Sequence, residues 1–142
     1  MKRTQAMVIV GVSVLTASVL AGCCTSGPTC ESQPKLTRYG SVIKVKPECL
    51  EAYKEIHANC WPEVLDMIHN CNIRNYSIYH RDGFLFAYFE YVGEDFEADM
   101  ARMAADPKTQ EWWMHTDPMQ APVESAKEDE WWARMEEVFH TD

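Results

Sequence analysis

Residues 73–92 read IRNYSIYHRDGFLFAYFEYV, and they hold two β-rich runs on either side of an Asp-Gly pair. Residues 73–79 alternate in polarity and residues 84–92 are rich in aromatic side chains, which is typical of strands. Asp82-Gly83 favours a two-residue turn, because both positions tolerate the left-handed backbone that joins antiparallel strands tightly. The stretch therefore predicts a β-hairpin, and with it an antiparallel sheet.

A strand and a broken helix are predicted before the hairpin. Residues 39–45 alternate and are rich in β-branched side chains, so they are predicted to form a strand. Pro47 stands where a first helical turn would begin. An apolar stripe with helical spacing follows, made of Leu50, Tyr53, Ile56, His57, Cys60, Trp61, Val64, Leu65 and Ile68. Because proline conflicts with the preceding turn, the helix is predicted to break near residues 58–61 and to restart at Pro62.

The segment after the hairpin predicts a second helical region and a closing strand. Residues 95–105 are predicted to form an amphipathic helix, which Asp106-Pro107 ends. The remaining predictions are a helical turn at 109–115, an irregular loop at 116–122, a polar segment at 123–130 and a last strand at 135–139. The order β-α-β-β-α-β is that of a ferredoxin-like α+β fold with an antiparallel sheet. Helices on one face leave the other face to be covered, which a symmetric dimer achieves.

Tyr53, His57 and Trp61 are spaced four apart and therefore lie near one face of the predicted helix. A histidine turned inward between two aromatic side chains is suited to proton transfer near neutral pH. The same pattern fits a satisfied core histidine in an ordinary amphipathic helix, and the spacing alone leaves both interpretations open.

Residues 1–22 are predicted to be a lipoprotein signal peptide. Two basic residues precede an apolar stretch, residues 6–20, which is short for a membrane span. The sequence LAGC at positions 20–23 resembles the lipobox of bacterial lipoproteins, which implies cleavage before Cys23 and a lipid on that cysteine. An uncleaved anchor helix is the alternative. The chain is expected to be exported and anchored to a membrane, at the periplasmic face or in the outer membrane.

A tether and one domain are predicted to follow. Residues 23–35 contain Gly, Ser, Thr and Pro without an apolar period, which is typical of a flexible tether. Residues 36–142 have the length of a single domain. Without the two basic residues of the signal, 11 basic residues face 22 acidic ones, a net charge of −11. This charge disfavours nucleic acid and anionic lipid as partners, so membrane attachment would depend on the lipid.

Cysteine and histidine spacing gives no pattern of a metal site. Five cysteines remain after the lipidated one, no pair has CxxC spacing, and the histidines show neither HxxxH nor HExxH. Cys49, Cys60 and Cys71 are predicted to be buried small hydrophobic residues. Cys24 and Cys30 are either free or paired with each other. No metal is therefore predicted.

Several short motifs, taken in order, resemble the L-rhamnose mutarotase family. They are Tyr53-x-x-x-His57-x-x-x-Trp61-Pro62-Glu63, Asn75-Tyr76-Ser77-Ile78-Tyr79, Trp112-Trp113 and Met135-Glu136-Glu137-Val138-Phe139. Together they span nearly all of residues 38–140. The resemblance implies a dimeric ferredoxin-like protein, a dimeric α/β barrel, that interconverts the α and β anomers of L-rhamnose or a related 6-deoxy hexose. It also implies an isomerase that needs no metal or organic cofactor.

The resemblance further implies roles for single residues. His57 matches the proton donor of the family, while Tyr53, Tyr76 and the pair Trp112-Trp113 match residues that bind the monosaccharide. A histidine that titrates near neutral pH can deliver a proton to the ring oxygen and take it back. Tyrosine hydroxyls can orient sugar hydroxyls, and indole rings pack on the C–H faces of a pyranose.

Alternatives stay open for several of these residues. Tyr76 could be a core residue of its strand, and one member of the pair Trp112-Trp113 is expected to be structural. The group that takes the anomeric proton is Tyr53, Glu63 or a water molecule. Glu63 also fits an acid that stabilises the first turn of the helix after Pro62.

Other side chains are expected to have no role in the chemistry. Trp131-Trp132 is interpreted as packing or as a dimer contact, and four histidines are expected at the surface: His69, His80, His115 and His140. Two further functions share the predicted fold: a sugar-binding lipoprotein without activity, and a cofactor-independent monooxygenase of the dimeric barrel type.

Overall fold

The computed structural model describes residues 36–141. The predicted signal peptide (1–22) and tether (23–35), which carry Cys23, Cys24 and Cys30, lie outside the described residues. In chain order, the strands and helices are β1 (Thr37–Val45), α1 (Leu50–Ala58), α2 (Pro62–Asn70), β2 (Ile73–Arg81), β3 (Phe84–Tyr91), α3 (Phe96–Ala105), α4 (Pro107–Thr116), β4 (Gln120–Ala121) and β5 (Ala133–Met135). Turns of 3₁₀ helix occur at Pro47–Cys49 and Asp117–Met119.

The sheet is antiparallel and has the order β2-β3-β1-β4. β1 lies in the middle and pairs with β3 along its length, from Thr37 opposite Tyr91 to Lys44 opposite Phe84. The other edge of β1 is covered by two short strands, since β4 pairs with residues 44–45 and β5 pairs with residues 40–42. β4 and β5 thus share the place of the fourth strand, and the predicted ferredoxin-like α+β class is confirmed.

The hairpin of β2 and β3 turns at Asp82-Gly83, as predicted. Both turn residues have positive φ, 51° and 80°, which is the backbone of a two-residue turn that matches the twist of the flanking strands. Gly83 accepts this conformation at no steric cost because it has no Cβ atom. The turn fixes the register in which β2 and β3 present their side chains.

The predicted helix break is also confirmed. α1 ends at Ala58, and Trp61 has an extended backbone with φ −66° and ψ 136°, as the residue before a proline favours. α2 then begins at Pro62, whose missing N–H costs nothing in a first turn. The apolar stripe is therefore divided between two helices.

The end of the chain differs from the prediction. Residues 135–139 were expected to form the last strand, whereas β5 covers Ala133–Met135 and residues 136–141 are not in a strand. Val138 and Phe139 suggested a strand, yet they are 89% and 79% exposed. Adjacent acidic residues at 136 and 137 disfavour strand pairing, which explains why β5 ends early.

Two further element boundaries differ between the prediction and the structure. The helical turn expected at 109–115 is the longer helix α4, which begins earlier because the side chain of Asp106 accepts a hydrogen bond from the backbone N–H of Thr109 at 2.7 Å. The loop expected at 116–122 contains a 3₁₀ turn and β4. Short strands of this kind depend on a distant partner, here the end of β1, and leave little local signal.

The core forms between the helix-facing side of the sheet and the helices. Ile43, Val45, Leu85 and Tyr53 form its buried cluster, and Trp131 and Trp132 pack against it. The packing role expected for the Trp131-Trp132 pair is confirmed. Among residues 36–141, no helix has the length and apolarity needed to cross a membrane.

Candidate active site

The candidate site lies where α1 ends, next to α4. Tyr53 is 4% exposed and His57, one turn later on α1, is half-buried. Their rings stack with centroids 4.0 Å apart. The spacing of four residues therefore places both side chains together, as the sequence predicted.

A backbone carbonyl group orients the ring of His57. The Nδ1 atom of His57 lies 2.8 Å from the carbonyl oxygen of Tyr53. Because a carbonyl oxygen only accepts hydrogen bonds, Nδ1 must carry the hydrogen. Nε2 makes no hydrogen bond with any described residue. It is the nitrogen that can exchange a proton with a ligand.

Aromatic rings from α4 and from the helix break surround His57. Trp112 is 6% exposed and meets His57 edge to face, with centroids 5.3 Å apart. Trp61 packs edge to face on Trp112 at 5.4 Å. The break at Pro62 thus places Trp61 on Trp112 and leaves His57 stacked on Tyr53.

This environment changes the acidity of His57. Burial lowers the pKa of His57 below its ordinary value of 6.5, and the hydrogen bond to the Tyr53 carbonyl opposes that change. Since burial is the larger cause, the neutral ring with a free Nε2 predominates at neutral pH. The imidazolium form is only a small population there and a stronger acid than an ordinary histidine.

Tyr76 reaches the helix-facing side of the sheet through a β-bulge. The pairing of β2 with β3 shifts between Arg74 and Ser77, and Asn75 has the positive φ of 50°. Asn75 also donates a side-chain hydrogen bond to Glu90 on the neighbouring strand. The extra residue brings the ring of Tyr76 edge to face with Phe89, at 5.7 Å.

Tyr76 is therefore not the core residue that its strand position allowed, since 42% of it is exposed. Burial of its phenol end nevertheless raises the pKa of Tyr76 to about 12, and the nearby Cys60 thiol adds to this effect. Burial likewise raises the pKa of Tyr53, with Tyr76 as a second cause and the hydrogen bond from Gln120 acting in the opposite direction. Both phenols are protonated at neutral pH and can donate hydrogen bonds.

Gln120, which sequence reasoning did not single out, holds the hydroxyl of Tyr53, and Trp131 in turn holds Gln120. Gln120 is 5% exposed, and its Nε2 lies 3.2 Å from the hydroxyl of Tyr53. The indole N–H of Trp131 donates to Oε1 of Gln120 at 3.2 Å. No local pattern marks Gln120, because β4 follows an irregular segment. Trp131 was expected to pack or to form a dimer contact.

Some residues of the family motifs have no described contact with the residues around His57. Trp113 is half-buried and makes none of the ring contacts that join Trp112 to His57 and Trp61. Glu63 is exposed in the first turn of α2, where an acid is favourable, which supports the structural interpretation over a role as base. The four other histidines are exposed, as expected.

The cysteines are only partly as expected. All three in the described range are free thiols, and Cys71 is buried, but Cys49 and Cys60 are half-buried. Cys49 lies in a 3₁₀ turn and Cys60 in the helix break, where neither is enclosed by regular packing. Among residues 36–141, no group of His, Cys, Asp and Glu is arranged to hold a metal ion.

A groove of about 510 Å³ lies elsewhere, beside β1 and β3 and against residues that follow Ala133. Arg38, Gly40 and Tyr88 line it together with residues 134–137. It shares no residue with the surroundings of His57. We place the candidate site at His57, because a half-buried histidine with an unbonded Nε2 stacks there on the phenol ring of Tyr53.

Comparison with known proteins points to one family. A family model described as L-rhamnose mutarotase matches residues 38–141. The L-rhamnose mutarotase of Phocaeicola vulgatus is 33% identical over 106 residues, which cover 69% of this chain and 91% of that protein. The L-rhamnose mutarotase of Mannheimia succiniciproducens is 30% identical over 115 residues, which cover 75% of this chain and 100% of that protein.

Solved structures share the fold. An L-rhamnose mutarotase from Formosa agariphila has a TM-score of 0.58 and 24% identity, covering 75% of this chain and 99% of that one. The tetracenomycin F2 cyclase of Streptomyces glaucescens, a type-II polyketide cyclase, has a TM-score of 0.56 and 12% identity, with the same coverage. At these identities the two structures support the fold alone.

The acidity of His57 can be measured directly. We expect the ring resonances of His57, assigned with His57→Asn, to titrate below 6.5 in NMR spectra of the folded protein, because burial disfavours the charged ring. The same resonances should titrate near the ordinary value in urea. A folded-state pKa at or above 6.5 would contradict the desolvated placement of the ring.

Proposed function

We propose that this chain, which belongs to the L-rhamnose mutarotase family, interconverts the α and β anomers of L-rhamnose or a related 6-deoxy hexose. The observation that carries the proposal is the free Nε2 of a half-buried His57 whose ring stacks on the protonated phenol of Tyr53. One titratable group and several hydrogen-bond donors in an aromatic setting suit a sugar whose ring must open and close.

In the proposed mechanism His57 moves a proton at the ring oxygen of the sugar. Ring opening needs a proton added to the ring oxygen and another removed from the anomeric hydroxyl, and closure needs the reverse. The Nε2–H of protonated His57 gives its proton to the ring oxygen as the C1–O5 bond breaks. After rotation about C1–C2, neutral His57 takes the proton back as the ring closes on the other face.

The group that accepts the anomeric proton is proposed to be water. Of the three candidates, Tyr53 has a pKa raised by burial and is therefore protonated. Glu63 is exposed in the first turn of α2 and has no described hydrogen bond to His57. A bound water molecule remains, with the Tyr53 hydroxyl free to stabilise the developing charge on a sugar oxygen.

Sugar binding is proposed to involve Tyr53, Tyr76 and Trp112, with Trp113 at the border of the site. The two phenols offer O–H donors, and the indole of Trp112 lies beside His57 at 5.3 Å. Apolar ring faces suit the C–H faces of a pyranose and the methyl group of a deoxy sugar. Exposure of Tyr76 at 42% leaves its ring open to a ligand.

Replacement of His57 tests the activity. We expect His57→Asn to slow the protein-dependent exchange between rhamnose anomers by about 10²- to 10⁴-fold, as loss of a general acid does. The measurement is saturation transfer between the two anomeric proton signals in NMR. For the wild type, kcat/KM should fall as the pH rises above the lowered pKa of His57, because the protonated ring begins the reaction.

His69→Asn is the matched control, since His69 is exposed on α2, and it should exchange anomers at the wild-type rate. Exchange that is unaffected by His57→Asn would refute the role of His57. Calorimetric binding of rhamnose by a wild type that does not accelerate exchange would show a sugar-binding protein without activity. A rate that rises with pH would make His57 the base.

We further propose a homodimer through the sheet face that points away from the helices. On that face, Tyr79 lies opposite Phe86, Phe86 opposite Val42, and Val42 opposite Ala133, which makes an apolar row across four strands. Tyr79 is 65% exposed. A face of this kind is covered when a second copy packs on it.

Light scattering after size exclusion tests the dimer. We expect the domain to have twice the mass of one chain and Phe86→Lys to be monomeric, because a charge within the apolar row would be buried without a partner. Leu65→Lys is the control, since Leu65 is 52% exposed on α2. A monomeric wild type, or a Phe86→Lys protein that stays dimeric, would contradict this interface.

We also propose that the chain is exported and carries a lipid on Cys23, as the LAGC sequence at 20–23 implies. We expect the full chain, produced in a bacterial host, to incorporate an alkyne-labelled fatty acid and to sediment with membranes. Cys23→Ala should lose the label because the thiol that carries the lipid is absent, whereas Cys24→Ala should keep it. A label retained in Cys23→Ala would contradict the anchor.

A further inference from the structure

Gln120 is buried between two side chains, Trp131 and Tyr53, to which it is hydrogen-bonded. It is 5% exposed in β4, with the indole N–H of Trp131 on one side and the hydroxyl of Tyr53 on the other. Both distances are 3.2 Å. A buried amide that bridges two groups in this way has a single orientation that satisfies both of them.

The indole determines that orientation. An indole N–H can only donate, so the amide atom facing Trp131 must be the oxygen of Gln120. The amide nitrogen then faces Tyr53 and donates to its hydroxyl oxygen. Because that oxygen is now an acceptor for Gln120, the hydrogen of the Tyr53 hydroxyl is directed to a third group.

Tyr53 borders the candidate site. Its ring stacks on His57 at 4.0 Å, and the Tyr76 phenol is near enough to affect its acidity. Since no described residue is seen to accept the hydrogen of the Tyr53 hydroxyl, that hydrogen is available to a ligand bound beside His57. Gln120 itself touches neither His57 nor Trp112 among the described contacts.

We propose that Gln120 is a positioning residue that makes the Tyr53 hydroxyl a hydrogen-bond donor to an oxygen atom of the sugar. This inference rests on the proposed mutarotase function and assigns a direction to one of its sugar contacts. A sugar oxygen that gains negative charge during ring opening is stabilised by a donor and not by an acceptor. Trp131 takes part indirectly, by fixing the amide.

Reversal of the hydrogen bond tests the inference. Because burial raises the pKa of a carboxyl at this position, Gln120→Glu is studied at a pH above that raised pKa. The ionised carboxylate then accepts from both Trp131 and Tyr53, so the Tyr53 hydrogen turns away from the sugar. The intensity ratio of the tyrosine Raman doublet distinguishes a phenol that only donates from one that also accepts. After subtraction of the Tyr53→Phe spectrum, we expect this ratio to change between wild type and Gln120→Glu toward a phenol that only donates.

The same variant should lose catalysis. We expect Gln120→Glu to lower kcat/KM for rhamnose anomer exchange about tenfold, with the loss mainly in kcat, because one donor to the developing charge is removed. Trp131→Phe leaves the amide free to turn, so it should act in the same direction with a smaller effect. If circular dichroism shows that Gln120→Glu is unfolded, Trp131→Phe serves as the test in its place.

Gln110→Glu is the matched control, because it adds the same charge at an exposed position of α4 and should leave both readouts unchanged. An unchanged Raman ratio in a folded Gln120→Glu protein would overturn the hydrogen-bond direction. A changed ratio with wild-type kcat/KM would overturn the positioning role. A wild type without exchange activity would instead refute the proposed function, which the sugar-free Raman measurement does not depend on.

Discussion

The break at Pro62 is the constraint on which the arrangement of the candidate site depends. Proline cannot continue the preceding helical turn and forces Trp61 into an extended backbone, so α1 ends at Ala58. An unbroken helix would keep Trp61 in one row with Tyr53 and His57. With the break, Tyr53 and His57 stay stacked on α1 while Trp61 packs on Trp112. The proline thus divides one apolar helical stripe, so that its aromatic residues lie around the candidate site.

The sheet contains a second irregularity, the β-bulge at Asn75 in β2. Strict alternation from Ile73 would turn Tyr76 to the face that carries Arg74, away from the helices. The bulge at Asn75, with its φ of 50°, adds one residue and places Tyr76 opposite Phe89 instead. Asparagine accepts this backbone at low cost because its short polar side chain can bond locally. The bulge therefore turns Tyr76 to the helix-facing side of the sheet, where its phenol is close enough to Tyr53 to contribute to the raised pKa of that residue.

Residues with strong local conformational preferences made much of the fold predictable. Pro62 and Asp82-Gly83 restrict their own backbone, so the helix break and the hairpin could be predicted from a few neighbouring residues. β4, β5 and the bulge depend on partners that are distant in the sequence. For this reason the last strand was predicted too late in the chain, and Gln120 in β4 was not recognised. The motif resemblance led to Tyr76 and Trp112, but the separation of Trp112 from Trp113 needed the packing of α4 against His57.

Burial has opposite effects on the acidities in the site, and both effects serve the proposed chemistry. Removing water disfavours the charged form of every group, so it lowers the pKa of His57 and raises the pKa values of Tyr53 and Tyr76. The difference in pKa between the imidazole of His57 and the two phenols is therefore larger than it is for the same groups in water. Only His57 can change its protonation state near neutral pH, while the phenols stay protonated as donors. One shared physical cause thus separates the group proposed to move a proton from the groups proposed to hold the sugar.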